Sequence, residues 1–289
     1  GSGLIITTRE LASFAELLVR GGEYNGEQLI SREYVRRATS PLICNTSDGS
    51  DYSYHCGYGY QIWCGKNRSF FFNGMGGQFA FGFPDTGLVF ACTADVQPNP
   101  AGKHQIYDAL WRHIVEKLQR PMEPDAQESR KLQLRCASLE LQPYAGEACS
   151  SIENAIRNAE YRLDENAMGI RWVRLSFSEN GGLLQYENER GRKELRFGRK
   201  KYAEGFFPEE HYPGRQLKKP ANRMYECASA ASWVSDQTLV IKTVITDDYI
   251  GSLTMTFTFR GDRIGIRMVK HAQFFLDEYQ GYAGGNRVR

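Results

Sequence analysis

From position 238 to 270 the chain reads TLVIKTVITDDYIGSLTMTFTFRGDRIGIRMVK. Residues 238–246, 252–260 and 263–270 alternate in polarity or are β-branched, as a strand with one buried face requires. Asp247-Asp248 and Gly261-Asp262 stand between them and supply turn chemistry. Strands joined by such short connections can only pair antiparallel. This stretch therefore sets a β meander as the frame of the C-terminal region.

Working back from it, residues 170–177, 182–186 and 194–197 read as further strands, with Glu179-Asn180-Gly181 as a turn. The set predicts an antiparallel meander that closes toward a small barrel. Residues 151–160 read as a helix capped by Ser150 or Ser151, and residues 206–220, rich in Pro, Lys and His, as an excursion. The basic residues of 190–201 are diluted by Glu189, Glu194 and Glu204, so a solvated hairpin is expected there in preference to a phosphate-binding surface. The closing residues 274–282 mix aromatics with acids and are expected to pack against the barrel wall.

Texture changes near residue 120. Residues 119–130 carry Pro121, Pro124 and many charges and read as a linker, which divides the chain into 1–118, 119–130 and 131–289. Before it, Leu11, Phe14, Ala15 and Leu18 lie on one helical face, with Thr7 or Thr8 to start the helix and Gly21-Gly22 to end it. Ser31 caps a second helix through Arg37. Residues 44–54 read as loop, and residues 58–64, 69–72 continuing into 78–83, and 87–94 as strands. Ile106, Leu110, Ile114 and Leu118 share a face of a third helix.

Composition limits the partners. The 36 basic and 34 acidic residues nearly cancel, so no global field favours nucleic acid or an anionic surface. No apolar run is long enough for a membrane span, and the opening Gly1-Ser2-Gly3 has neither the basic start nor the apolar stretch expected of an export leader. The expectation is a soluble, cytoplasmic chain, with export of a longer parent left open. Seven cysteines without C-x-x-C spacing, and five dispersed histidines, give no metal set, no cofactor and free thiols in a reducing compartment.

Two stretches carry a family resemblance. Residues 3–14 with 21–31, then Gly57-Tyr58-Gly59-Tyr60-Gln61-Ile62-Trp63, Gly74-Met75-Gly76-Gly77-Gln78 and Phe83-Pro84-Asp85-Thr86-Gly87-Leu88-Val89, resemble the C-terminal portion of serine β-lactamase-related hydrolases, the class C β-lactamase and penicillin-binding-protein-like esterase family. The resemblance implies an α+β fold: an incomplete β-lactamase/transpeptidase-like lobe, antiparallel sheet with helices, followed by the meander or small lipocalin-like barrel. It places Asn73, Gly74, Met75, Gly76, Gly77 and Gln78 at the third motif as substrate-binding candidates, beside the bland reading of a tight glycine hairpin.

No serine has a lysine three residues on, so the nucleophile pair of such enzymes is absent. Tyr186-Glu187-Asn188 and Ser178-Glu179-Asn180 spell the second motif but follow the third. The implied function is a hydrolase fragment inactive alone, whose partner is the missing N-terminal half of a parent chain. The apolar strand between Gly87 and Ala94 is then an exposed edge, and self-association through it is expected. The alternative is a ligand-binding or recognition module of a cell-envelope-related protein.

Overall fold

The structure, a computed structural model, describes residues 4–44, 56–118, 124–210, 223–247, 249–272 and 275–288. The chain divides into two compact units, Gly1–Lys117 and Leu118–Arg289.

In the first unit, helix α1 (Thr8–Val19) begins at a capping box in which Thr7 and Glu10 satisfy each other's backbone N–H. Gly21 and Gly22 end it with positive φ; a Cβ on Gly22 would stand 2.0 Å from the Ile30 carbonyl oxygen. A short hairpin, β1 (Glu23–Tyr24) and β2 (Glu27–Gln28), leads to α2 (Arg32–Ala38), whose cap is the Ser31 hydroxyl.

Strands β3 (Trp63–Cys64), β4 (Phe70–Asn73), β5 (Phe79–Phe83) and β6 (Leu88–Cys92) follow as an antiparallel sheet in that order, and α3 (Gly102–His113) comes after. Phe71, Phe79, Phe81 and Phe83 pack with Tyr107 and Leu110 of α3. β6 is the edge of this sheet among the described strands. The strand expected over 58–64 shrinks to β3 and single bridges at Tyr58, because Gly57 and Gln61 take positive φ and break the extended run. The loop residues 45–55 lie outside the described residues.

In the second unit, α4 (Ala126–Ala137) starts at an Asp125 cap, so residues 126–130 of the stretch read as a linker are helical; residues 119–123 lie outside the described ones. α5 (Glu153–Ile156) is only one turn where a helix over 151–160 was expected: Asn158 turns left-handed and the chain leaves as β7 (Glu160–Leu163). Then come β8 (Trp172–Phe177), β9 (Gly181–Asn188), β10 (Gly191–Arg199), β11 (Ala203–Glu210), β12 (Met224–Ser235), β13 (Thr238–Ile245), β14 (Gly251–Arg260), β15 (Arg263–Ala272) and β16 (Gly281–Arg287). The expected excursion over 206–220 is corrected in its first part, since β11 runs to Glu210; residues 211–222 are not described.

These ten strands form one sheet that closes on itself. β7 pairs with β16, and β10 meets β12 in a short parallel contact, Gly198 opposite Ala230 and Arg199 opposite Ala231. Nine strands complete the closed barrel, and β11 runs antiparallel along the first half of β12. β10 and β11 start from a common bend at residues 200–202 and part from there, each pairing with its outer neighbour. Inward positions follow the period of two, as in Val173, Leu175 and Phe177 or Leu253, Met255, Phe257 and Phe259, and all belong to one core. The barrel is thus filled by side chains, both aliphatic and aromatic.

Candidate functional site

Two groups of charged side chains interrupt that apolar interior, one at each end of β10. Lys193, Leu195 and Phe197 share the inward register of β10, and Phe207 and Glu209 share that of β11. Where the two strands part, side chains span the space. Lys193 Nζ lies 3.2 Å from Glu209 Oε2 and Arg190 Nη1 lies 3.3 Å from the same oxygen. Glu209 is 3% exposed, so its charge is affordable only because it is paired and hydrogen-bonded. Asn188 donates to its Oε1 at 3.1 Å and the Tyr279 hydroxyl donates to the same atom at 2.6 Å. Tyr186 and Tyr279 hydroxyls share a bond of 2.7 Å.

Burial by itself would raise the Glu209 carboxyl. The bonds from Tyr279 and Asn188 and the nearby Lys193 ammonium outweigh it and hold the group below the ordinary carboxylate value. Burial pushes both phenols, Tyr186 and Tyr279, far up, so at neutral pH they act as hydrogen-bonding hydroxyls. The site contains two cations, Arg190 and Lys193, and two carboxylates, Glu209 and Glu278, the last 2.9 Å from Arg190.

Tyr279 reaches this site from a loop. Phe275, Leu276 and Tyr279 are buried in the core as a plug, which corrects the expectation that residues 274–282 lie against the wall; Phe274 itself is not described. The Tyr279 ring stands edge-on to Tyr186 and to Phe207, with centroids 6.2 and 5.2 Å away, and Phe275 stacks on Tyr225 at 4.8 Å. Leu276 holds φ +61, a conformation a bulky side chain rarely adopts. Lys270 pins the loop through the Phe275 carbonyl and Asp277.

At the opposite end, Arg199 and Glu153 form a two-pronged pair, 2.6 and 2.7 Å, with side chains 10% and 8% exposed. Trp233 donates its indole N–H to Glu153 Oε1 at 2.8 Å, and Arg199 also bonds the Ala148 and Ser178 carbonyls. The solvated hairpin expected over 190–201 is therefore corrected at three positions, since Arg190, Lys193 and Arg199 are spent on buried or half-buried carboxylates.

The sequence candidates at 73–78 form the turn between β4 and β5. Asn73 Oδ1 accepts from Lys103 of α3 at 3.1 Å. The amides of Gly74, Gly76 and Gly77 are taken by Gln78 O, Gln78 Oε1 and Gly74 O. Gln78 also donates to the Ala94 carbonyl, Gly77 alone of the three glycines has positive φ, and Met75 is exposed. Among the described residues no group of histidine, cysteine and carboxylate side chains has a metal-holding arrangement, and no helix is long and apolar enough to cross a membrane.

No protein-family model matches the chain, and no curated protein matches it. Similar solved structures include a fatty-acid-binding protein isolated from Manduca sexta L, at 10% identity and TM-score 0.28, covering 46% of this chain and 99% of that one. Another is human cRBP IV, at 12% identity and TM-score 0.29, covering 45% and 96%. Likenesses this distant say nothing of what this chain binds. The resemblance drawn above is corrected: no family model and no curated protein of the serine β-lactamase-related kind matches the chain, and neither structure named here is such a hydrolase. The reading as a hydrolase fragment with a missing N-terminal half as partner falls with it.

Proposed function

We propose that the barrel is a binding module for a small amphiphile, an apolar body that ends in a hydroxyl, and that Tyr279 holds the ligand's place in the closed form. The observation that carries this reading is the Tyr279 ring, brought from a loop into the barrel mouth, with its hydroxyl on the buried Glu209 carboxylate. A ring that enters this way leaves without breaking any strand pairing. The loop has reason to yield, because Leu276 in the left-handed region costs about 1–3 kcal/mol. A ligand hydroxyl would donate to Glu209 and accept from Tyr186 and Asn188, replacing the Tyr279 bonds one for one. Apolar walls from Phe207 and Tyr225 would hold its body.

The test uses p-cresol, the free form of the tyrosine side chain, against toluene, which lacks the hydroxyl. Calorimetric titration of the full chain is expected to find binding of p-cresol and not of toluene. Tyr279→Ala removes the internal competitor and tightens p-cresol binding by about tenfold or more. Equal binding of the two compounds, or no p-cresol binding by a folded Tyr279→Ala chain, overturns the proposal.

A further inference from the structure

Outside the barrel, in the first unit, two cysteines flank the turn of residues 57–63. The Cys56 N–H donates to the Cys64 carbonyl at 2.7 Å, and the Cys64 N–H donates to the Gly57 carbonyl at 2.9 Å. The single 2.7 Å bond from the Cys56 N–H to the Cys64 carbonyl limits the separation of their Cα atoms to about 6.5 Å at most. A disulfide spans Cα separations of about 4.4–6.8 Å. Cys56 and Cys64 also line one pocket of about 520 Å³, together with Leu18, Val35 and Ser69. Cys56 is exposed and Cys64 is buried. The Cys64 thiol is raised above its ordinary value, first by burial and second by the neighbouring Cys56.

We propose that Cys56 and Cys64 are a reversible redox pair, closed to a disulfide by exchange with a low-molecular-weight disulfide. The exposed Cys56 thiolate attacks one sulfur of RSSR, breaks its S–S bond and releases RS⁻. The Cys64 thiolate then attacks the Cys56 sulfur of the mixed disulfide, forms the Cys56–Cys64 bond and expels the second RS⁻. The protein's two thiols are oxidised, one RSSR is reduced to two RSH, and the two thiol protons end on the released thiolates. Burial of Cys64 makes the second step the slower one, and it quickens as pH rises and more of that thiol ionises.

Oxidised glutathione is the probe, applied to the full folded chain at pH 7 and pH 9, followed by alkylation and peptide mapping. A linked peptide containing Cys56 and Cys64 is expected, forming faster at pH 9 and lost on treatment with dithiothreitol. In Cys64→Ser, glutathione is expected to accumulate on Cys56 as a trapped mixed disulfide. Three outcomes overturn the proposal: Cys56 of the unaltered chain ends glutathionylated with Cys64 still a thiol, Cys56 links to Cys44 on the adjoining segment, or both cysteines are recovered alkylated.

Discussion

At one end of the barrel the buried charges sit on elements that cannot leave, and at the other they meet a side chain that can. Arg199 belongs to β10, Trp233 to β12 and Glu153 to the one-turn helix α5, and their bonds tie two strands and that turn together. The opposite mouth has an equally buried carboxylate, Glu209, but its shortest bond comes from Tyr279 on a loop held by a strained Leu276 and by pairs reaching the surface. Similar chemistry thus serves permanence at one end and exchange at the other. What separates them is whether the donor is on a paired strand.

Three substitutions test that contrast. Arg199→Ala should have the largest effect, because it strands the Glu153 carboxylate in the interior without its cation, left to the Trp233 indole and the Ser150 backbone. A loss of about 3–5 kcal/mol in urea unfolding, followed by tryptophan emission, is expected; a loss under about 1 kcal/mol would make the two ends alike. Tyr279→Phe keeps the ring and deletes the hydroxyl, at about 1–2 kcal/mol.

Its pH behaviour has a defined sign. A carboxyl lowered in the native state gives stability above its unfolded pKa, near 4.5, and that stability is lost as pH falls through the native value. Deleting the Tyr279 donor brings the native value back toward the unfolded one, so acid unfolding of Tyr279→Phe should set in at higher pH. Glu278→Gln should cost least, about 0–1 kcal/mol, because Arg190 is largely exposed. Its expected signature is faster hydrogen exchange confined to residues 275–279, and unchanged exchange there would place the loop among the permanent elements.

The meander was legible where one face is buried and the other wet, and β13, β14 and β15 were read from that alternation alone. β12 hid because Ala228, Ala230 and Ser232 bury its second face as well, erasing the period of two. β16 hid behind Gly281, Gly284 and Gly285, and β11 behind Pro208. The polar site was missed for a related reason. Lys193 was counted as one of a run of surface charges, although it stands two and four residues before Leu195 and Phe197 on the inward register. That spacing was the available signal. Its partner Glu209 lay in a strand not expected, and no local pattern brings Tyr279, some 70 residues further on, onto it.

The pairing of β7 with β16 joins Leu163 to Gly285, about 120 residues away along the chain. Every other antiparallel contact in the barrel links strands that follow one another, so the order in which the ring forms is constrained. Hairpins from β8 to β15 are able to form as synthesis proceeds, but β7 has no partner on its outer edge until Gly281–Arg287 has been made. Until then the nascent sheet is an open, curled ribbon whose interior rings face water. The entropy of drawing its two ends together falls on one late step. Closure of the seam between β7 and β16 should therefore be the slow event in refolding, and the time spent before it is the interval in which the chain depends on protection from aggregation.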